Sequence, residues 1–124
     1  MVLEGEDLSC PLCEAIKNEK ILASNEDFVI LRTKKMKGHR ERIMVVFRVH
    51  TDVLLGPSIN KGLDLLEKAG KELFKYTTFF VIMEPTYATI KDHWHLVASD
   101  LNRNAEDYDQ VLITPWKKIV SVYD

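Results

Sequence analysis

The sequence has no long apolar run, very little cysteine and almost no net charge. No stretch approaches the roughly 20 apolar residues that a membrane helix needs. The N-terminal segment MVLEGEDLSC is acidic and has no apolar signal region, so a cytoplasmic protein is expected. Seventeen Lys and Arg face nineteen Asp and Glu, for a net charge of −2. That balance implies no general attraction to nucleic acid or to an anionic membrane. Only Cys10 and Cys13 carry thiols, too few for a disulfide framework and unsuited to one in a reducing compartment. No repeat, low-complexity tract or linker occurs, and 124 residues suit one domain, residues 1–124, with one core.

The four histidines are His39, His50, His93 and His95. Two of them lie in KDHWHLVASD, residues 91–100. A strand here puts His93 and His95 on one face and turns Trp94 and Leu96 toward a core. Two imidazoles side by side suit metal binding, or metal binding by one and chemistry by the other. They also fit an edge strand with two solvated histidines.

Cys10-Pro11-Leu12-Cys13 is a C-x-x-C. A redox pair should follow a strand and open a helix inside a βαβ unit, and no strand precedes this one. Zinc sites use the same spacing, but two cysteines leave a tetrahedral site half built. Two further ligands must come from among the four histidines. Idle thiols are the remaining reading.

Glu14–Lys20 reads as a short helical turn. Phe28–Arg32 and Ile43–Phe47 are β-branched, apolar strands, joined as a hairpin by the polar, basic loop Thr33–Arg42. Asn60–Tyr76 is the one clear amphipathic helix, with Leu63, Leu66, Gly70 and Leu73 at helical spacing and Asn60 or Ser58 as N-cap. Thr77–Met83 and His93–Ala98 are further strands, Leu101–Asp109 is an acidic loop, and Val111–Ile113 and Ile119–Tyr123 are short strand candidates. Strand, strand, helix, strand, strand predicts an α+β domain, a mostly antiparallel sheet with one main helix on one face.

From Cys10 to about Asp100 the order and spacing of these pieces resemble the histidine triad (HIT) family of nucleotide-binding proteins. KILASNEDFVILRT resembles the first hairpin strand, and KGHRERIMVVFRVHTDVL the segment carrying a glycine-histidine pair and a later histidine. HWHLVA falls where the family carries His-x-His-x-His. The resemblance implies a HIT-like fold. It also implies that Cys10, Cys13, His50 and His93 hold a structural zinc, as in zinc-binding members of the family. His39 then stays outside the site as a loop histidine. The middle triad position, His95, is implied as the nucleophile toward an α-phosphorus.

The chain departs from the family pattern in four places. Val97 stands at the third triad position. The segment Glu84–Asp92 lacks the glycine and most of the polar donors of the family's phosphate loop. Leu31-Arg32-Thr33 replaces the acidic residue that grips the ribose, and the hairpin loop is longer by about three residues around Arg40-Glu41-Arg42. A HIT-like nucleotide hydrolase or nucleotidyltransferase would need Thr86, Thr89, Lys91, Ser99 or Arg48 as substitute donors. Lys91, Ser99 and Arg48 are the expected substrate-binding residues. The alternative is a zinc-stabilised module that binds a nucleotide or a protein without turnover. A nucleic-acid contact through Lys34, Lys35, Lys37, Arg40 and Arg42 ranks below both, since no aromatic platform accompanies that charge run. The resemblance also implies a homodimer, paired through the helix and the Phe79-Phe80-Val81 strand after it.

Overall fold

The computed structural model describes residues 10–33, 36–84 and 93–123. Among the described residues, three helices and six strands follow one another as α1 (Pro11–Asn18), β1 (Ala23–Ser24), β2 (Phe28–Arg32), β3 (Arg42–Phe47), α2 (Gly56–Leu73), β4 (Phe79–Met83), β5 (His95–Asp100), α3 (Tyr108–Ile113) and β6 (Lys117–Ser121). The strands form one antiparallel sheet in the order β1-β2-β3-β5-β4-β6. The expected α+β class with a mostly antiparallel sheet and one main helix describes this architecture.

The central strands alternate between two buried faces. On one face Phe28, Ile30, Ile43, Val45, Phe80, Ile82, Leu96 and Ala98 meet Leu66 and Phe74 of the α2 region. Two glycines let α2 approach closely. A Cβ on Gly62 would lie 3.0 Å from the Phe28 ring, and one on Gly70 would lie 2.5 Å from the Phe80 ring. Lys61, Asp64, Lys68 and Glu72 lie on the exposed side of α2, where charge costs least. The helix begins earlier than expected, with Leu55 at the N-cap and Pro57 in its first turn. Proline fits there because its missing N–H would have no intrahelical partner.

The other face carries two separate apolar clusters. Leu12, Cys10 and Cys13 from the α1 segment pack on Val29, Leu31 and Val46. Val111 of α3 packs on Val81, Met83 and Val97. Met44 touches both clusters and stays half-buried. The strip of β3 between the α1 and α3 clusters, where Met44 touches both, is called the trough below.

Two expectations need correction. Val111–Ile113 is helical, not a strand; Val111 alone is buried while Leu112 and Ile113 face outward, a one-sided pattern that a short helix satisfies. Phe79–Val81 is not an open edge, because β6 pairs with β4 from Phe79↔Ser121 to Met83↔Lys117. Pairing of two copies by extension of β4 is blocked by the chain's own last strand. His39 lies in the loop between β2 and β3, outside the metal group as expected, with its side chain 3% exposed between two carboxylates. No described helix is long and apolar enough to cross a membrane.

Candidate metal centre and the adjoining His95 trough

Cys10 caps α1, its Sγ accepting the N–H of Cys13 at 3.4 Å. Pro11 fixes the first helical position, so the helix start presents both thiols to one spot. Two backbone bonds bring the histidines to that spot. Phe47 N–H donates to Trp94 O at 3.2 Å, and Trp94 N–H donates to Thr51 O at 2.7 Å. They lace the turn carrying His50 to the segment carrying His93, ahead of β5.

The result is a four-residue cluster of Cys10, Cys13, His50 and His93 whose ligand atoms all lie within 4.8 Å of one another. His93 Nδ1 stands 3.4 Å from each sulfur, and His50 Nδ1 stands 3.3 Å from Cys13 Sγ. Metal–sulfur bonds of about 2.3 Å and metal–nitrogen bonds of about 2.0 Å place tetrahedral ligand atoms roughly 3.3–3.8 Å apart. These separations fit that range. His93 Nε2–H donates to Phe47 O at 2.6 Å, which fixes the tautomer with a lone pair on Nδ1 toward the sulfurs. Metal-binding histidines are oriented by such outer bonds. Burial holds the His93 pKa below its ordinary value; the Phe47 carbonyl works against that, and His50 and His95 work with it. A neutral ring is the form that ligates. With both cysteines, His93 buried and His50 half-buried, the four expected ligands form a group able to hold a metal ion.

His95 opens β5 next to this centre. Its Nδ1–H donates to His93 O at 2.9 Å, leaving Nε2 with the lone pair. Burial keeps the imidazole below its ordinary pKa; the His93 carbonyl opposes this and the charge of Arg42 reinforces it. The ring is therefore neutral near pH 7. Cross-strand register places His95 opposite Val46, Val97 opposite Met44 and Ser99 opposite Arg42, all on the trough face. Val97 lies under α3 against Val111, so the third triad position is filled by apolar packing.

The expected substrate-binding residues divide three ways. Ser99 shares the face of His95 and is fully buried, with no hydrogen-bond partner on its hydroxyl. Arg48 is exposed and donates through Nε and Nη2 to Asn25 O, at the end of the hairpin away from its tip. Lys91 lies outside the described residues, as do Thr86 and Thr89.

Arg42 was not expected at the site. Placing the second hairpin strand at Ile43 left it in a polar loop, yet it is the first residue of β3. Counting back by two from Val46, the partner of His95, through Met44 to Arg42 would have put it on the trough face. Its Nη1 donates to Thr33 Oγ1 at 2.8 Å, while its Nε is buried without a partner.

The second unforeseen cluster surrounds His39. Its Nδ1 meets Asp100 Oδ1 at 2.5 Å and its Nε2 meets Asp107 Oδ1 at 2.6 Å. Asp100 also accepts from the Arg40 N–H at 3.0 Å and from the Tyr76 hydroxyl at 2.5 Å, and Arg40 stacks 4.7 Å above the Tyr76 ring. Burial alone would lower the His39 pKa, but the bonds and charges of Asp100 and Asp107 outweigh it and raise the value. Asp100 moves below its ordinary value despite its burial, through His39, Tyr76 and the Arg40 N–H. This clamp ties the hairpin tip to the segment leading into α3. Gly38, with φ +95°, completes it, since a Cβ there would meet Ala105 Cα at 2.4 Å.

No family model, curated protein or solved structure matches the chain.

Proposed function

We propose that the protein is a HIT-like nucleotide hydrolase or nucleotidyltransferase acting at an α-phosphate through His95, on a domain stabilised by zinc at Cys10, Cys13, His50 and His93. The observation that carries the reading is the His95 Nδ1–H bond to the His93 carbonyl. It aims an unprotonated Nε2 away from the backbone, as nucleophilic attack requires. Four protein ligands complete a tetrahedral shell without a water, the pattern of a structural zinc rather than a catalytic one. Zinc would tie the start of α1 to the segment that presents His95.

In the proposed reaction Nε2 donates its lone pair to the α-phosphorus. The N–P bond forms as the bond to the leaving oxygen breaks, and that oxygen departs with the electron pair. Nδ1–H, held by the His93 carbonyl, keeps the ring oriented while it carries the positive charge. Water or another acceptor oxygen then attacks phosphorus and loses its proton to solvent; the new O–P bond forms as the N–P bond breaks, and its electron pair returns to Nε2 to restore neutral His95. Val97 gives no proton to the leaving group, and one missing transition-state donor costs about 3–4 kcal/mol. Turnover is therefore expected to be slow. The same apolar packing at Val97 favours a second reading, a zinc-stabilised nucleotide- or protein-binding module without turnover.

Trapping separates the two. The protein is incubated with an adenosine phosphoramidate and quenched, and an acid-labile nucleotidyl adduct is sought by mass. Adduct on wild type that vanishes in His95→Ala, with metal content retained, supports the enzyme. Mononucleotide binding without adduct supports the binding module. Adduct that persists in His95→Ala refutes the assignment of the nucleophile.

A further inference from the structure

The short helix α3 is held on the sheet unevenly. Val111 is its one buried residue, packed on Val81, Met83 and Val97. Its C-terminal end is pinned: Lys117 Nζ donates to Leu112 O at 3.1 Å and to Thr114 O at 3.3 Å, and Thr114 is buried. Its N-terminal end hangs on Asp107, the N-cap residue. Among the described residues, the side-chain hydrogen bond of Asp107 is the one it accepts from His39 Nε2 at 2.6 Å. An element with a single buried apolar contact has little local stability of its own. That one bond therefore decides where the first turn of α3 sits.

A histidine ring donates from both nitrogens only when it is protonated. His39 does so, to Asp100 through Nδ1 at 2.5 Å and to Asp107 through Nε2. The two carboxylates do not hold the ring equally. Asp100 is fixed in β5 opposite Phe80 and also accepts from the Arg40 N–H and the Tyr76 hydroxyl. Asp107 has no second side-chain donor among the described residues. A neutral ring that keeps its Nδ1–H on Asp100 turns the Nε2 lone pair toward Asp107 Oδ1, acceptor against acceptor in a buried place. We propose that His39 and Asp107 form a proton-operated latch on α3: the protonated ring holds the first turn of the helix on the sheet, and loss of the Nε2 proton releases it. The hairpin tip stays docked, because Glu106 N–H donates to Lys37 O at 3.0 Å and Asn102 Nδ2 donates to Gly38 O at 2.5 Å. The moving piece is residues 107–111, and its release uncovers the cluster of Val81, Met83 and Val97. Burial lowers the His39 pKa, but the bonds and charges of Asp100 and Asp107 raise it above 6.5. The latch therefore opens as pH rises through that raised value. The other charged or titratable groups around the pair are Lys37, Arg40, Glu41 and Arg42 from the hairpin, Glu106 after β5 and Tyr76 after α2. The latch does not depend on the role proposed for His95.

Two readouts on the full chain test it together, between about pH 6 and 9. Proton–nitrogen spectra of the His39 ring show which nitrogen loses its proton. Amide hydrogen exchange, corrected for the intrinsic pH dependence of the exchange chemistry, follows α3. The Gln110 and Val111 amides report the latch, because both donate to Asp107 O at 3.0 Å. Their protection should fall about tenfold or more as Nε2 loses its proton, the worth of one hydrogen bond to a charged group. The amides of Val45 and Ala98 in the central strands should keep theirs. Asp107→Asn should abolish the step, since an amide accepts from a protonated Nε2 and donates to a neutral one. Protection at Gln110 and Val111 that stays level while Nε2 loses its proton overturns the proposal. So does a ring that keeps both protons to about pH 9, or one that loses the Nδ1 proton instead. A fall shared equally by Val45 and Ala98 overturns it too, because that is global loss of structure, as does a step that persists in Asp107→Asn. The wild-type readouts decide the matter by themselves if that variant does not fold.

Discussion

Removing the His39 side chain should cost the fold more than any other single change at the hairpin tip. The imidazole is 3% exposed, and the side chains of Asp100 and Asp107 are 8% and 6% exposed. Both ring nitrogens donate to carboxylates, which only the protonated ring can do. A hydrogen bond to a charged group is worth about 1.5–3 kcal/mol, and removing one member of a buried ion pair costs about 3–5 kcal/mol. Asp100 keeps the Arg40 N–H and the Tyr76 hydroxyl, so His39→Ala should cost about 3–5 kcal/mol. For a domain of this size that lowers Tm by roughly 10–20 °C. The loss should be sub-additive with Asp107→Ala, because each substitution removes the other's partner.

The pH profile has a definite sign. His39 has a folded pKa raised above 6.5, so its contribution is complete below 6.5 and is lost as pH rises through the folded value. Asp100 has a folded pKa below 3.8, so its contribution is complete above 3.8 and is lost as pH falls through the lowered value. The other groups around the clamp are Asp107, Tyr76, Arg40, Glu41 and Arg42. Burial and the bond to Asp100 raise the Tyr76 pKa, which keeps its hydroxyl a donor across this range. The stability difference between wild type and His39→Ala, from urea melts at a series of pH values, should be largest between about pH 4 and 6.5 and shrink on the alkaline side. A loss under about 1 kcal/mol, or a difference that grows as pH rises from 6 to 9, would refute the reasoning.

Three further substitutions probe the two sheet faces. Gly70→Ala adds a Cβ at 2.5 Å from the Phe80 ring, which is fully buried and stacked on Phe74 at 5.0 Å; overpacking of about 1–3 kcal/mol should exceed the helix gain of about 1 kcal/mol, whereas Gly62→Ala, with its nearest contact at 3.0 Å, should stay within about 1 kcal/mol of wild type in thermal melts. Val97→His should not create a working triad: the side chain would enter the Val81, Met83 and Val111 cluster, so a loss of about 2 kcal/mol or more in stability with no gain in adduct formation is expected, and faster adduct formation would contradict the placement of α3.

The sheet was legible because its strands announce themselves locally. Phe28–Arg32 and Phe79–Met83 are runs of apolar and β-branched residues that have no other economical conformation. The metal group was legible only in part from the residues: the spacing of Cys10 and Cys13 marked two ligands, while the choice of His50 and His93 among four histidines came from the family resemblance alone. What lay beyond reading was set by contacts distant in sequence. The partners of His39 are 61 and 68 residues away, and nothing in KGHRER marks that histidine as buried. The two-residue β1 exists only by pairing Ala23 and Ser24 with β2. Val111–Ile113 is too short for periodicity to tell helix from strand. Arg42 was missed by one residue of strand boundary, and in a period-two element one residue decides which face is assigned.

The central claim is that Cys10, Cys13, His50 and His93 form one metal centre beside His95. Zinc K-edge absorption on freshly purified protein, with elemental analysis of the same sample, measures it directly. The account predicts about one zinc per chain, with two sulfur ligands near 2.3 Å and two nitrogen ligands near 2.0 Å, a shell that loses one nitrogen in His50→Ala. Chelation should lower Tm, because a ligand set drawn from three separate segments binds metal only when folded. Protein without metal, or a shell of oxygen and nitrogen alone, would contradict it.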